Sequence, residues 1–135
     1  MEEYKYSEIT KKNIGASFEV HKFFGNGFQE VIYQRALAYE FIKAGLEFQR
    51  EIVHYIFYKD IEEPIGTRRA DFVVEGKVLV ELKSIIQLEY VHTAQILNYL
   101  RAYKLEVGLL INFGSKSLTF KRLVLSAKSD NQNNQ

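Results

Sequence analysis

The sequence predicts an α+β protein in which a mixed β-sheet is flanked by helices. Three stretches carry that expectation. Residues 68–83 read as two short strands joined at Glu75-Gly76-Lys77, because Phe72, Val74, Val78, Val80 and Leu82 are apolar at alternate positions. Residues 107–113 form a continuous apolar run, as a central strand buried on both faces requires. Between them, residues 88–103 place Val91, Ala94, Leu97 and Leu100 on a helical stripe, and a helix joining two strands of one sheet implies a parallel crossover.

The remaining elements follow in order. Ser7 is expected to cap a first helix with Ile14, Phe18 and His21 inward, ending near Gly25-Asn26-Gly27, a cluster that favours turns. A second helix is expected over 28–43, with Val31, Leu37, Ala38, Phe41 and Ile42 as its inner stripe and Gly45 just past its end. Residues 48–58 are rich in aromatic and β-branched side chains and read as a long first strand. Residues 59–64 contain the only proline and read as a turn or edge loop. Residues 118–125 alternate again as a last strand. The expected organisation is one domain over residues 1–126 and a polar tail at 127–135 too poor in apolar residues to fold.

Composition narrows the function classes. The chain has 135 residues, 47% of them hydrophobic, enough to bury a core. It has no cysteine, which excludes disulfides, zinc–thiolate sites and thiol catalysis. A net charge of +1 supplies no global field to draw in nucleic acid. The charged start Met1-Glu2-Glu3-Tyr4-Lys5 lacks the apolar segment of a secretory signal, and no run approaches the ~20 apolar residues that span a bilayer. A cytoplasmic protein away from the membrane is expected.

The chemistry concentrates in the hairpin. With Glu75-Gly76-Lys77 as its loop, Val74 faces Val78, Phe72 faces Val80, and Asp71 faces Glu81. Like charges directly opposed destabilise a sheet unless a cation intervenes. Lys83 offers one cation, and a divalent metal is the better one, since two carboxylates and a main-chain carbonyl suit Mg²⁺ or Mn²⁺. Lys83, two residues beyond Glu81, lies on the same strand face, where it can orient a water or stabilise charge developing on phosphorus. The plainer reading of Asp71, Glu81 and Lys83 is a salt bridge on a solvated sheet face. Glu30 is explained without chemistry as a first-turn acid complementing a helix dipole, and Gln95 with Tyr99 as the wet face of a helix. Arg68 and Arg69 flank the carboxylate strand.

Taken together and in order, these pieces resemble a known family. Gly27-x-x-Glu30-x-x-Tyr33 matches the naming motif of the GxxExxY family, a branch of the PD-(D/E)xK nuclease-like superfamily. Arg69-Ala70-Asp71-Phe72-Val73-Val74 looks like its RADxxV segment, and Val80-Glu81-Leu82-Lys83 like its VELK segment. Gln95-x-x-x-Tyr99 is similar to an element of RecB-like nucleases, and 107–113 resembles the family's VGLLxNF strand. Ala70 stands where the superfamily's name has proline. The resemblance covers residues 7 to 125. It implies a restriction-endonuclease-like α-β-β-β-α-β core and Mg²⁺-dependent (or Mn²⁺-dependent) hydrolysis of DNA phosphodiesters. It implies Glu30, Asp71 and Glu81 as acidic metal-site residues and Lys83 as the catalytic lysine. Gln95 and Tyr99, with Arg69 beside Asp71, are then expected to bind substrate. A nuclease of this size is expected to work with a second copy or a protein partner. The alternative is a non-catalytic module that keeps the nuclease fold and acts through a protein partner.

Overall fold

The computed structural model describes residues 4–125; the tail expected at 127–135 lies outside them. In order, the elements are α1 (Ser7–Phe24), α2 (Glu30–Lys43), β1 (Phe48–Ile56), β2 (Gly66–Val74), β3 (Val78–Lys83), α3 (Tyr90–Tyr103), β4 (Val107–Asn112) and β5 (Thr119–Val124). The five strands form one mixed sheet in sequence order. β3 and β4 run parallel through α3, and every other neighbouring pair is antiparallel.

The sheet is covered on both faces. Phe72, Val74, Val78, Val80 and Leu82, with Val107, Leu109 and Ile111, pack against Val20 of α1 and Tyr33, Leu37 and Phe41 of α2. Ala70, Val73, Leu79 and Leu110 pack against Ile96 and Leu100 of α3. All six residues of β4 are buried, as a strand sandwiched between helical layers must be.

The helical stripes differ from those the apolar residues alone suggest. On α1, Phe18 is exposed and the buried stripe includes Asn13 and Ser17. Each tolerates burial by donating to the carbonyl four residues back, Asn13 to Ile9 and Ser17 to Asn13. On α2, which begins at Glu30, Val31 and Ile42 are exposed and Tyr33 and Gln34 are buried instead. On α3, which begins at Tyr90, Val91 is exposed and Ile96 replaces it in the core. Gly45 does terminate α2. Its N–H donates to Ile42 and that of Leu46 to Phe41, and Gly45 has φ 74°.

Candidate active site

The β2–β3 hairpin has the expected register. Val74 pairs with Val78, Val73 with Leu79 and Phe72 with Val80, and the loop turns through left-handed backbone at Glu75 and Gly76. The pairing ends one step short of Asp71 and Glu81. There the strands part, and side chains take over from the ladder. Asp71 Oδ2 accepts the Leu82 N–H at 2.8 Å.

Alternation also breaks at this point. Ala70 packs on the α3 side of the sheet and Phe72 on the α1–α2 side, although both are even-numbered. In β1 the same switch separates Phe48 from Ile52. Glu51, between the pairs Arg50–Phe72 and Ile52–Ala70, has φ 55°. A left-handed residue in a strand re-aims its neighbours as a bulge does. Asp71 therefore sits where the sheet changes face, within reach of α2: Gln34 Nε2 donates to Asp71 Oδ1 at 2.8 Å.

Glu81 is 7% exposed. Burial, and then the charge of Asp71, push its carboxyl up to about 8, against the pull of Arg68, the Asp71 N–H and Lys83. Its nearest cation is the Arg68 guanidinium, 3.8 Å away. Arg68 lies against the ring face of Tyr99 and near that of Tyr103. Glu81 Oε1 and Arg68 Nε are both buried without a hydrogen bond. A salt bridge on a solvated face does not describe this pair.

Glu30 opens α2. Partial burial raises its carboxyl pKa, Lys83 lowers it and Asp71 raises it again, so these three groups share one electrostatic environment. The turn that delivers Glu30 is pinned by Tyr33, whose hydroxyl donates to Gly25 O at 2.6 Å and accepts the Phe28 N–H at 3.2 Å. The Tyr33 ring stacks on Phe113 with centroids 4.6 Å apart. Beyond Lys83, Asn112 clamps the next loop: it accepts from Ile85 N and donates to Ile85 O, at 3.0 and 2.9 Å.

Asp71, Glu81, Lys83 and Glu30 thus lie close enough to feel one another's charge, and Tyr99 reaches Glu81 through Arg68. Gln95 is half-buried on α3 and takes no part in the hydrogen bonds around the carboxylates. Arg69 is turned away from them: it is largely exposed, with its ion pair to Glu51 at 3.8 Å. Arg68 takes the position beside Glu81 that strand alternation alone assigns to Arg69, because alternation fails at Asp71. Gln34 and Tyr33 escaped the sequence reading in their site roles. Gln34 had a signal, since it lies one helical turn from Glu30.

A family model of the PD-(D/E)XK nuclease superfamily matches residues 7–123. The chain belongs to this superfamily. Its members generally use divalent metals. No curated protein matches the chain. Among solved structures, the crystal structure of SSO0001 is similar to it with a TM-score of 0.56 at 15% identity. The alignment covers 74% of this chain and 52% of that one, so the chain spans about half the length of its structural relative. This likeness supports the restriction-endonuclease-like fold.

The residues present suit a divalent cation. Asp71 and Glu81 are hard oxygen donors, and the buried Glu81 Oε1 is an acceptor that nothing yet satisfies. Among the described residues no group of three or more His, Asp or Glu is drawn together as a metal cluster. Glu30 therefore stands beside the two strand carboxylates rather than completing a preformed cage. Nor is any helix among the described residues long and apolar enough to cross a membrane.

Proposed function

We propose that the protein is a divalent-metal-dependent nuclease of the GxxExxY branch that hydrolyses DNA phosphodiester bonds. The observation that carries this reading is the parting of β2 and β3 at Asp71 and Glu81. It leaves a buried carboxylate, one oxygen of which has no hydrogen bond, two residues before Lys83 on the same strand. Asp71 and Glu81 hold Mg²⁺ or Mn²⁺, with Glu30 as the outer acid. The metal, when bound, supplies Lewis-acid activation of water and of the phosphoryl oxygen. Gln34 fixes the Asp71 carboxylate in orientation. Lys83 holds the attacking water or steadies charge at phosphorus, and Tyr99 keeps Arg68 in place beside Glu81. Gln95, half-buried on α3, and the exposed Arg69 would contact the substrate backbone outside the carboxylate pair. The protein acts in the cytoplasm, with a second copy or a protein partner.

Incubation of the purified chain with labelled DNA and Mg²⁺ or Mn²⁺ tests this. Cleavage should fall by orders of magnitude in Asp71→Ala, Glu81→Ala and Lys83→Ala while the fold is retained. Absence of cleavage with either metal, or equal cleavage by all four proteins, refutes it.

One observation favours a second reading, a nuclease-fold binding module. Arg68 already provides Glu81 with a cation. On that reading Mn²⁺ does not bind, and the chain captures a partner protein without cutting nucleic acid.

A further inference from the structure

The candidate site is bordered by large apolar side chains that the fold leaves wholly or half exposed, Phe28 with one side of its ring on Phe24 and Tyr33. Phe28, two residues before Glu30, is 45% exposed. Ile86 and Tyr90, just beyond Lys83, are 89% and 85% exposed. Loops commonly expose a single hydrophobic residue, but these three stand on segments tied firmly to the site and to each other. Ser84 Oγ donates to Phe28 O at 2.7 Å, joining the two segments directly. The Phe28 N–H is held by Tyr33 and both main-chain groups of Ile85 by Asn112. Gly114 packs so closely on this loop that a Cβ there would lie 2.1 Å from Ile85 N. At the start of α3, Glu89 and His92 form a reciprocal capping box. Beside them opens a cavity of about 630 Å³ lined by Ile85, Ile86, Gln87, Glu89 and His92.

Charge narrows what can occupy this rim. With a net charge of +1, the chain has little of the basic excess by which duplex binders neutralise phosphates and release counterions. Grip on nucleic acid must come in part from elsewhere, and stacking of a base on an aromatic or apolar side chain is worth about 1–3 kcal/mol per base. A paired base hides both faces within the duplex, whereas an unpaired one offers them. Ser84, next to Lys83, bonds Phe28, two residues before Glu30, and Ile86 shares its cavity with the start of α3 where Tyr90 stands. A strand whose phosphate lay at the site would carry its neighbouring bases toward these side chains.

We propose that Phe28, Ile86 and Tyr90 form a base-stacking rim that selects nucleic acid with unpaired bases at the scissile position. This rests on the nuclease reading above and adds the substrate class to it. The test is fluorescence anisotropy with a labelled single strand and the duplex of the same sequence, in calcium, for the wild type, Ile86→Ala, Tyr90→Ala and Tyr90→Phe. Melting temperatures confirm that these exposed substitutions leave the fold unchanged. The wild type should bind the single strand at least about tenfold more tightly than the duplex. Ile86→Ala and Tyr90→Ala should each lose most of that preference while duplex affinity stays the same, and Tyr90→Phe should retain it. Equal affinity for the two nucleic acids, or a preference untouched by Ile86→Ala and Tyr90→Ala, overturns the rim. If the chain still cuts duplex DNA with Mg²⁺ in that event, the nuclease reading stands and only the rim fails. If it neither binds nor cuts nucleic acid, both fail.

Discussion

Replacing Glu81 by glutamine should stabilise the metal-free protein at alkaline pH. The carboxyl of Glu81 is raised from its ordinary 4.5 to about 8. The folded state thus holds a proton that the unfolded state has released across that interval. Stability contributed by this proton is complete below about pH 4.5 and is lost as pH rises through 8. At 1.36 kcal/mol per pH unit the loss reaches about 5 kcal/mol, which relaxation and water entry reduce to about 3–5 kcal/mol. The amide stands in for the protonated carboxyl, so Arg68 faces an uncharged group in both proteins at pH 5. Urea unfolding of wild type and Glu81→Gln in a chelating buffer from pH 5 to pH 9 measures the effect. The two proteins should be similarly stable at pH 5, and the variant should be ahead by about 3–5 kcal/mol at pH 9. Parallel pH profiles, or a variant less stable than wild type at pH 9, would refute the claim that burial outweighs Arg68 and keeps Glu81 protonated well above its ordinary pKa. Adding Mn²⁺ at pH 8 should stabilise the wild type and leave the variant unchanged, since the metal replaces the proton.

Three further outcomes follow from named contacts. Tyr33→Phe removes the hydroxyl that bonds Gly25 and Phe28; it should cost about 1–3 kcal/mol in denaturant unfolding and lower the cleavage rate more than stability alone explains, because Glu30 loses its fixed approach. Gly114→Ala places a Cβ against the Ile85 main chain, and a backbone shift should lower the melting temperature by several degrees, at a cost of about 1–3 kcal/mol. Arg68→Met should alter Mn²⁺ affinity measurably, whereas Arg69→Ala, at an exposed ion pair, should change stability by less than about 1 kcal/mol.

Much of this fold was legible because hydrophobic spacing and hairpin geometry are local. The register of Phe72 with Val80 follows from the loop at Glu75-Gly76-Lys77, and the buried run at 107–112 can hardly be anything but a central strand. The helix faces were harder. Gln34 is buried because its partner Asp71 is in place, and that partner appears only once the chain is folded, whereas Asn13 and Ser17 donate to carbonyls one turn back in their own helix. The exchange of Arg69 for Arg68 has one cause. Period-2 alternation predicts faces along an unbroken strand, and here it is interrupted at Glu51 and Asp71. Nothing in the residue types marks Glu51 for left-handed backbone. The motif spacing singled out the acids and the lysine as candidates; it did not reveal that Glu81 is buried beside an arginine.

Titration of Mn²⁺ into the metal-free protein, followed by calorimetry, tests the central claim most directly. Binding should saturate in the wild type and in Arg69→Ala, release a proton below about pH 8, and be lost in Asp71→Ala and Glu81→Ala. A wild type that takes up no Mn²⁺, or binding unchanged when either carboxylate is removed, contradicts the assignment of a metal site to the parting of β2 and β3.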